Sequence, residues 1–193
     1  KFFSYANTVT TIDFDKTSKG HGWVGIRYQN NENEDFNEIV IHVKFKETNA
    51  TLQQETLGSL GVNLIYGAYF YADNPRILIE SLYDDISLDR LEVDMIDFSG
   101  PGFQYVDNRL MSLQLVKLGM TDAVIFNSEG NNMLPADILY KKNIFAVRGS
   151  FRPVTKVNID MFEQGLEMFN KDNACDSYNT QILFEITISN LRA

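Results

Sequence analysis

"EIVIHVKFKETNATLQQETLGSLGVNLIYGAYF", Glu38 to Phe70, is the stretch on which the reading of this chain turns. It opens on a strand in which His42 stands between apolar Ile41 and Val43. A polar turn follows, then a helix that closes on Leu60-Gly61, then a second apolar run. Glycine at a helix end turns left-handed without steric cost, so Gly61 predicts a C-cap and the run after it predicts a new strand. Read this way, the stretch is one strand–helix–strand unit.

The plan recurs twice. "RLEVDMIDFSGPGFQYVDNRLMSLQLVKLGMTDAVIF", Arg90 to Phe126, has the same order and the same Leu-Gly closing its helix at Gly119. "KNIFAVRGSFRPVTKVNIDMFEQGLEMFNKDNACDSYNTQILFEITI", Lys142 to Ile188, is the third copy. Strands alternating with helices predict βαβ units. The expected fold class is therefore α/β: repeated βαβ units forming a mostly parallel sheet flanked by helices. Leu52, Leu57 and Leu60 of the first helix, and Leu110, Leu113 and Leu115 of the second, read as core contacts. A short helix, "NPRILIESLYDDI", lies between the units with Pro75 in its first turn.

Ahead of the units, Thr8–Phe14 and Trp23–Gln29 flank "DKTSKGHG" and predict a hairpin-like segment. "NNENEDFN" then reads as a solvated loop. The expectation is a single α/β domain over residues 1–193. The chain begins "KFFSYANTVTTIDFD" without Met and stops on "LFEITISNLRA", which reads as the opening strand of a fourth unit, so a fragment of a longer protein is expected.

The 193 residues are 44% hydrophobic and 22% charged, a globular composition with enough chain for a real core. A net charge of -9 argues against nucleic acid as a partner, because backbone binding needs a basic face. The lone Cys175 permits no internal disulfide and points to a reducing, cytoplasmic setting. The longest apolar run, Val62 to Ala72, is too short to cross a bilayer, so no membrane partner is expected. His21 and His42, the only histidines, show no metal spacing and no metal site is predicted. His42 reads as a half-buried strand histidine. Asp94 and Asp97 are spaced to point to opposite faces of their strand, leaving Asp97 as the carboxylate able to reach a loop ligand.

In parallel sheets, ligands collect at the carboxyl ends of strands. Three loops qualify: "KFKETNA", "DFSGPGFQYVDN" and "RGSFRPVTKVN". In the second, "FSGPGF" reads first as a turn forced by Pro101.

The third loop resembles the phosphate-binding signature G-x-F-x-P-x-[HT]-x-x-H of the nicotinate and nicotinamide mononucleotide adenylyltransferases. Gly149, Ser150, Phe151, Arg152, Pro153, Val154, Thr155 and Lys156 run through it, and Asn158 stands where that pattern ends in His. Over most of its length the chain also resembles an uncharacterised bacterial family whose members carry the labels nicotinic acid mononucleotide adenylyltransferase and TonB-dependent receptor. The second label implies a transmembrane barrel, whose alternating pattern is not read in this sequence. The first implies ATP with magnesium and a second substrate such as nicotinate mononucleotide. It further implies phosphates held at Gly149–Asn158 and a helix dipole behind them. Catalytic residues are not assigned, since Asn158 supplies no cationic donor; Arg152 and Lys156 are the cations within the loop. Beside this nucleotide-binding reading stands an alternative: a non-catalytic scaffold or protein-interaction domain, in which the signature is a structural turn and "YGAYFYADNP" is a contact surface.

Overall fold

The computed structural model describes residues 2–13, 15, 19–171 and 179–192. Cys175 lies outside them. The chain divides into two compact units, Lys1–Leu134 and Pro135–Ala193.

The first unit corrects the expected fold class. Strands β1 (Phe2–Thr10), β2 (His21–Gln29), β3 (Asn37–Phe45) and β4 (Leu91–Ser99) form a four-stranded sheet in that order. Every neighbouring pair is antiparallel. A hairpin does open the sheet, with Phe2 opposite Gln29 and Thr10 opposite His21, but its first strand lies earlier than the expected Thr8–Phe14 and shares only Thr8–Thr10 with it; Phe14 lies outside the described residues. The parallel sheet of repeated βαβ units is not present among the described residues, and Glu38–Phe70 shows why.

After β3 the chain enters helix α1, which runs unbroken from Ala50 to Phe70. Asn49 caps it, its Oδ1 accepting from the N–H of Thr51 and of Leu52. Gly61 does not end the helix. It is buried against β1, where an added Cβ would lie 2.8 Å from Tyr5 Oη. Gly67 is likewise a contact point, its Cβ position 3.1 Å from Leu78 Cγ. These glycines let the helix approach its neighbours closely. The apolar run that reads as a strand is the second half of the helix.

Residues Leu60, Leu64 and Ala68 are fully buried and follow one another at four-residue steps. Leu52, expected in the core, is 44% exposed, and the inward positions of that turn are Gln53 and Thr56. Gln53 Oε1 accepts from the Ile12 N–H and its Nε2 donates to the Glu47 carbonyl. Thr56 Oγ1 donates to Glu47 Oε2, and Arg90 Nε donates to Glu47 Oε1 at 2.6 Å. Buried polar groups are tolerable when each has a partner, and here Glu47 supplies it.

Helix α2 (Pro75–Ser81) begins at the expected Pro75, with Asn74 as cap. Past β4, Gly100 at φ 107 leads into a single 3-10 turn, Pro101–Phe103, so "FSGPGF" is a turn. Helix α3 (Asn108–Lys117) buries Met111, Ser112 and Leu115, while Leu110 is 51% exposed. Gly119, at φ 75, makes the left-handed exit its position predicts. The "DAVIF" run then yields only β5 (Ile125–Phe126), which pairs antiparallel with β6 (Asn132–Met133) instead of joining β4.

The second unit keeps the expected order. Helix α4 (Pro135–Leu139) leads to β7 (Asn143–Arg148), α5 (Lys156–Lys171), β8 (Thr180–Glu185) and α6 (Ile188–Arg192). Strands β7 and β8 are parallel, Asn143 opposite Thr180 and Arg148 opposite Glu185. The terminal strand therefore pairs within this unit. Phe145 meets Phe162 and Phe169 of α5 at 6.0 and 5.3 Å between ring centroids, and Phe162 meets Phe184 at 5.5 Å.

A strand would place Val62, Leu64 and Tyr66 on one face; the helix buries Leu64 alone. Leu64→Ala should therefore cost about 3 kcal/mol in urea unfolding, with a cavity left against the sheet. Val62→Ala should cost less than about 0.5 kcal/mol. Similar losses from the two variants would contradict the helix.

Candidate functional site

Gly149–Thr155 joins the carboxyl end of β7 to the amino end of α5, the strand–turn–helix setting that a phosphate signature requires. Its groups are largely engaged with one another. The Gly149 N–H donates to the Glu185 carbonyl at 3.1 Å. Phe151, at φ 51, folds its ring back over Gly149, so that a Cβ on Gly149 would come within 3.0 Å of Phe151 Cζ. The same ring stands edge-on to Phe184. Arg152 Nη1 donates to the Leu191 carbonyl at 2.8 Å, and the Arg152–Pro153 peptide is cis.

Asn158 has a local job. Its Oδ1 accepts from the Thr155 N–H at 2.9 Å and from the Thr155 hydroxyl at 2.8 Å, while Thr155 Oγ1 accepts from the Asn158 N–H at 3.3 Å. This is a reciprocal helix cap of the Ser/Thr-x-x-Glu/Gln kind, with Asn in the last place. Ser150, Arg152 and Lys156 remain exposed.

A second constellation lies on the face of the antiparallel sheet turned away from α1. At His42/Val43 the β3–β4 register shifts: His42 stands opposite Met95 and Val43 opposite Val93. Asp94 is the extra residue of this bulge. The bulge corrects the expected alternation. Asp94 shares a face with His42 and Lys44, and Asp97, opposite Val40, lies on that same face. No spacing rule read from β4 alone finds this, because the shift exists only in the pairing with β3.

Asp94 is 2% exposed and holds His42 Nδ1 at 2.6 Å with one oxygen and Lys44 Nζ at 2.5 Å with the other. His42 is also 2% exposed, deeper than a half-buried residue, with Trp23 edge-on to it at 4.9 Å and His21 at 5.8 Å. Burial pushes the Asp94 carboxyl upward, but the hydrogen bonds from His42 and Lys44 outweigh it and hold the group below its ordinary value. Asp97 goes the other way. Burial, then the nearby Glu38 charge, raises it.

Asp97 also lines an open cleft of about 420 Å³ with Met95, Asn108, Arg109, Glu129 and Asn132. Asn108 Nδ2 donates to Asp97 Oδ1 at 2.7 Å, and Asn132 Nδ2 donates to the Ile96 carbonyl at 3.1 Å. The Arg109 guanidinium is already held by both oxygens of Asp107. With Asp97, Asp107 and Glu129 against one arginine, the cleft suits hydrogen-bond donors and opposes a phosphate. Of its residues the sequence names Asp97 singly and includes Asp107 and Asn108 in the candidate loop "DFSGPGFQYVDN"; Asn132 carries no signal. Among the described residues, no three His, Cys, Asp or Glu side chains are grouped to hold a metal ion.

Comparison with protein-family models, with curated proteins and with solved structures finds no match to this chain. No described helix is long and apolar enough to cross a membrane.

The two β4 carboxylates should answer substitution with opposite signs at neutral pH. Asp94→Asn leaves His42 and Lys44 without their charge partner and should cost about 3 kcal/mol. Since the folded carboxyl titrates lower than the unfolded one, its contribution is complete above about pH 4 and fades as pH falls further. The variant should therefore show a flatter acid limb in a pH series of urea melts. Asp97→Asn keeps an oxygen for Asn108 and relieves a charge whose ionisation burial opposes, so it should raise stability. Two changes of the same sign would refute this assignment.

Proposed function

We propose that the chain binds a nucleotide or another phosphate-bearing small molecule at the carboxyl end of β7, and that it holds this ligand without turning it over. One observation carries the reading: the sixteen-residue helix α5 directs its amino end, with exposed Arg152 and Lys156, at the carboxyl end of a parallel strand pair. Unpaired backbone N–H groups and the helix dipole favour an anion at such a place.

Local charge supports it. In a chain of net charge -9, residues 138–159 contain Lys141, Lys142, Arg148, Arg152 and Lys156 and no acid. Arg148 is paired with Glu185, which leaves Arg152 and Lys156 as the cations nearest the turn. Ser150 adds a hydroxyl donor. Turnover is a different matter: adenylyl transfer needs a cation on the developing charge, and Asn158 is neutral and tied into the cap. ATP with magnesium is the first ligand to test, in keeping with the resemblance of Gly149–Asn158 to the adenylyltransferase signature. A reducing, cytoplasmic setting goes with such a ligand.

A second reading, a non-catalytic interaction domain, is favoured by the exposed apolar face of α1.

Calorimetric titration of ATP, with and without magnesium, should give saturable binding to the whole chain. Lys156→Glu should weaken it at least about tenfold, equivalent to about 1.4 kcal/mol, with the melting temperature unchanged. Gly149→Val, whose side chain must displace the Phe151 ring, should abolish it. A folded chain that shows no saturable heat at millimolar ATP would overturn the proposal, as would binding indifferent to both substitutions. Asn158→His tests turnover separately.

A further inference from the structure

We propose that the carboxyl-terminal half of α1 is a docking face for a basic amphipathic helix of a partner protein. The observations are independent of the nucleotide reading and belong wholly to the first unit.

Val62, Ile65, Tyr66, Tyr69 and Phe70 are 66%, 39%, 46%, 50% and 60% exposed. Their spacing of three, four, seven and eight residues makes them one stripe along the helix. The fold does not need this stripe, because Leu60, Leu64 and Ala68 already serve the core from the other side. The aromatic members are mutually braced: Tyr66 and Phe70 lie 4.5 Å apart between centroids, Tyr69 and Phe70 4.7 Å, and Tyr69 rests 5.8 Å from Phe3. The rings therefore form one contiguous aromatic surface. Contiguous exposed apolar area of this kind marks an interaction site, and braced aromatics lose little entropy on binding.

Charge around the stripe selects the occupant. From Ala50 to Asp89 the chain carries six acids, Glu55, Asp73, Glu80, Asp84, Asp85 and Asp89, against one base, Arg76. Several border the stripe directly. Glu55 is seven residues before Val62 and lies on its face of the helix. Asp84 is tied beside it by Asn63, whose Nδ2 donates to the Asp84 carbonyl at 2.7 Å. Asp73 follows Phe70 by three residues, in the turn after the helix. An apolar ridge with an acidic border is the complement of a helix with one apolar face and flanking Lys or Arg, whose cations can also sit over the Tyr66 and Tyr69 rings. A second copy of this chain fits badly, since a two-fold contact would set the acidic border against itself. An anionic membrane or nucleic acid meets the same repulsion.

The test uses the whole chain, labelled with 15N, and a synthetic helix-forming peptide of about eighteen residues with Leu on one face and Lys on the other. Two controls accompany it: the same Leu and Lys in scrambled order, and a Leu/Glu version of the amphipathic peptide. The Leu/Lys helix should shift amide signals of residues 62–73 and 84–85 saturably, and the two controls should not. Tyr66→Ser with Phe70→Ser should weaken binding at least about tenfold at unchanged melting temperature, equivalent to about 1.4 kcal/mol. Asp84→Lys should weaken it more at low salt than at high salt. Equal binding of the scrambled peptide, or shifts elsewhere on the surface, would overturn the proposal. So would a concentration-dependent dimer in sedimentation that Phe70→Ser abolishes, which would assign the face to a second copy.

Discussion

The close seating of α1 on the sheet is the constraint from which the rest of the first unit follows. A helix can lie this near β1 and α2 only where side chains vanish, and Gly61 and Gly67 remove them at the two contact points. Glycine inside a helix costs roughly 1 kcal/mol relative to alanine, a cost offset here by the packing it permits. The amino-terminal turn is fixed differently, by the Glu47 carboxylate and carbonyl holding Thr56, Arg90 and Gln53. One end of the helix is thus anchored by polar groups and the other by shape. With α1 covering one face, the chain returns as β4 along the free edge of β3, antiparallel to it.

That arrangement leaves the two faces of the sheet with different chemistry. The covered face is apolar: Ile39, Ile41, Val43, Phe45, Leu91, Val93, Ile96 and Phe98. The opposite face concentrates ionisable groups, with His42, Asp94 and Lys44 in one cluster and Asp97 beyond it. The bulge in β4 brings the carboxylates to one side, and their surroundings push them in opposite directions. Asp94 is committed to its partners. Asp97 faces a cleft with only an asparagine to share its charge. Residues 138–159, which carry five cations and no acid, are the stretch where we propose that a phosphate is held.

Much of the chain is legible residue by residue. The second strand of the opening hairpin, the Pro75 start of α2, the left-handed Gly119 and the strand–turn–helix around Gly149 follow from turn chemistry and periodicity. The failure at Val62–Phe70 has a definite cause. A helix apolar on both its buried and its exposed sides has no polar stripe, so its period cannot be told from that of a strand. Gly61 then supplied a false stop, because close packing and capping ask for the same residue. The predicted loop does join a strand to a helix, yet nothing in a pattern of single letters shows that Asn158 and Thr155 bond each other.

The sequence by itself determined many of the local elements, though not the second half of α1, together with the cationic stretch at 138–159 and the aromatic run at 66–71, because each depends on neighbours within a few residues. Tertiary structure alone decided that the main sheet is antiparallel, that Asp94 and Asp97 share a face, and that the aromatic run faces solvent beside acids instead of filling a core. Those outcomes depend on which strand edge is free and on a one-residue shift in pairing. Both are set by contacts between segments some fifty residues apart, such as His42 with Asp94, and no local pattern encodes them.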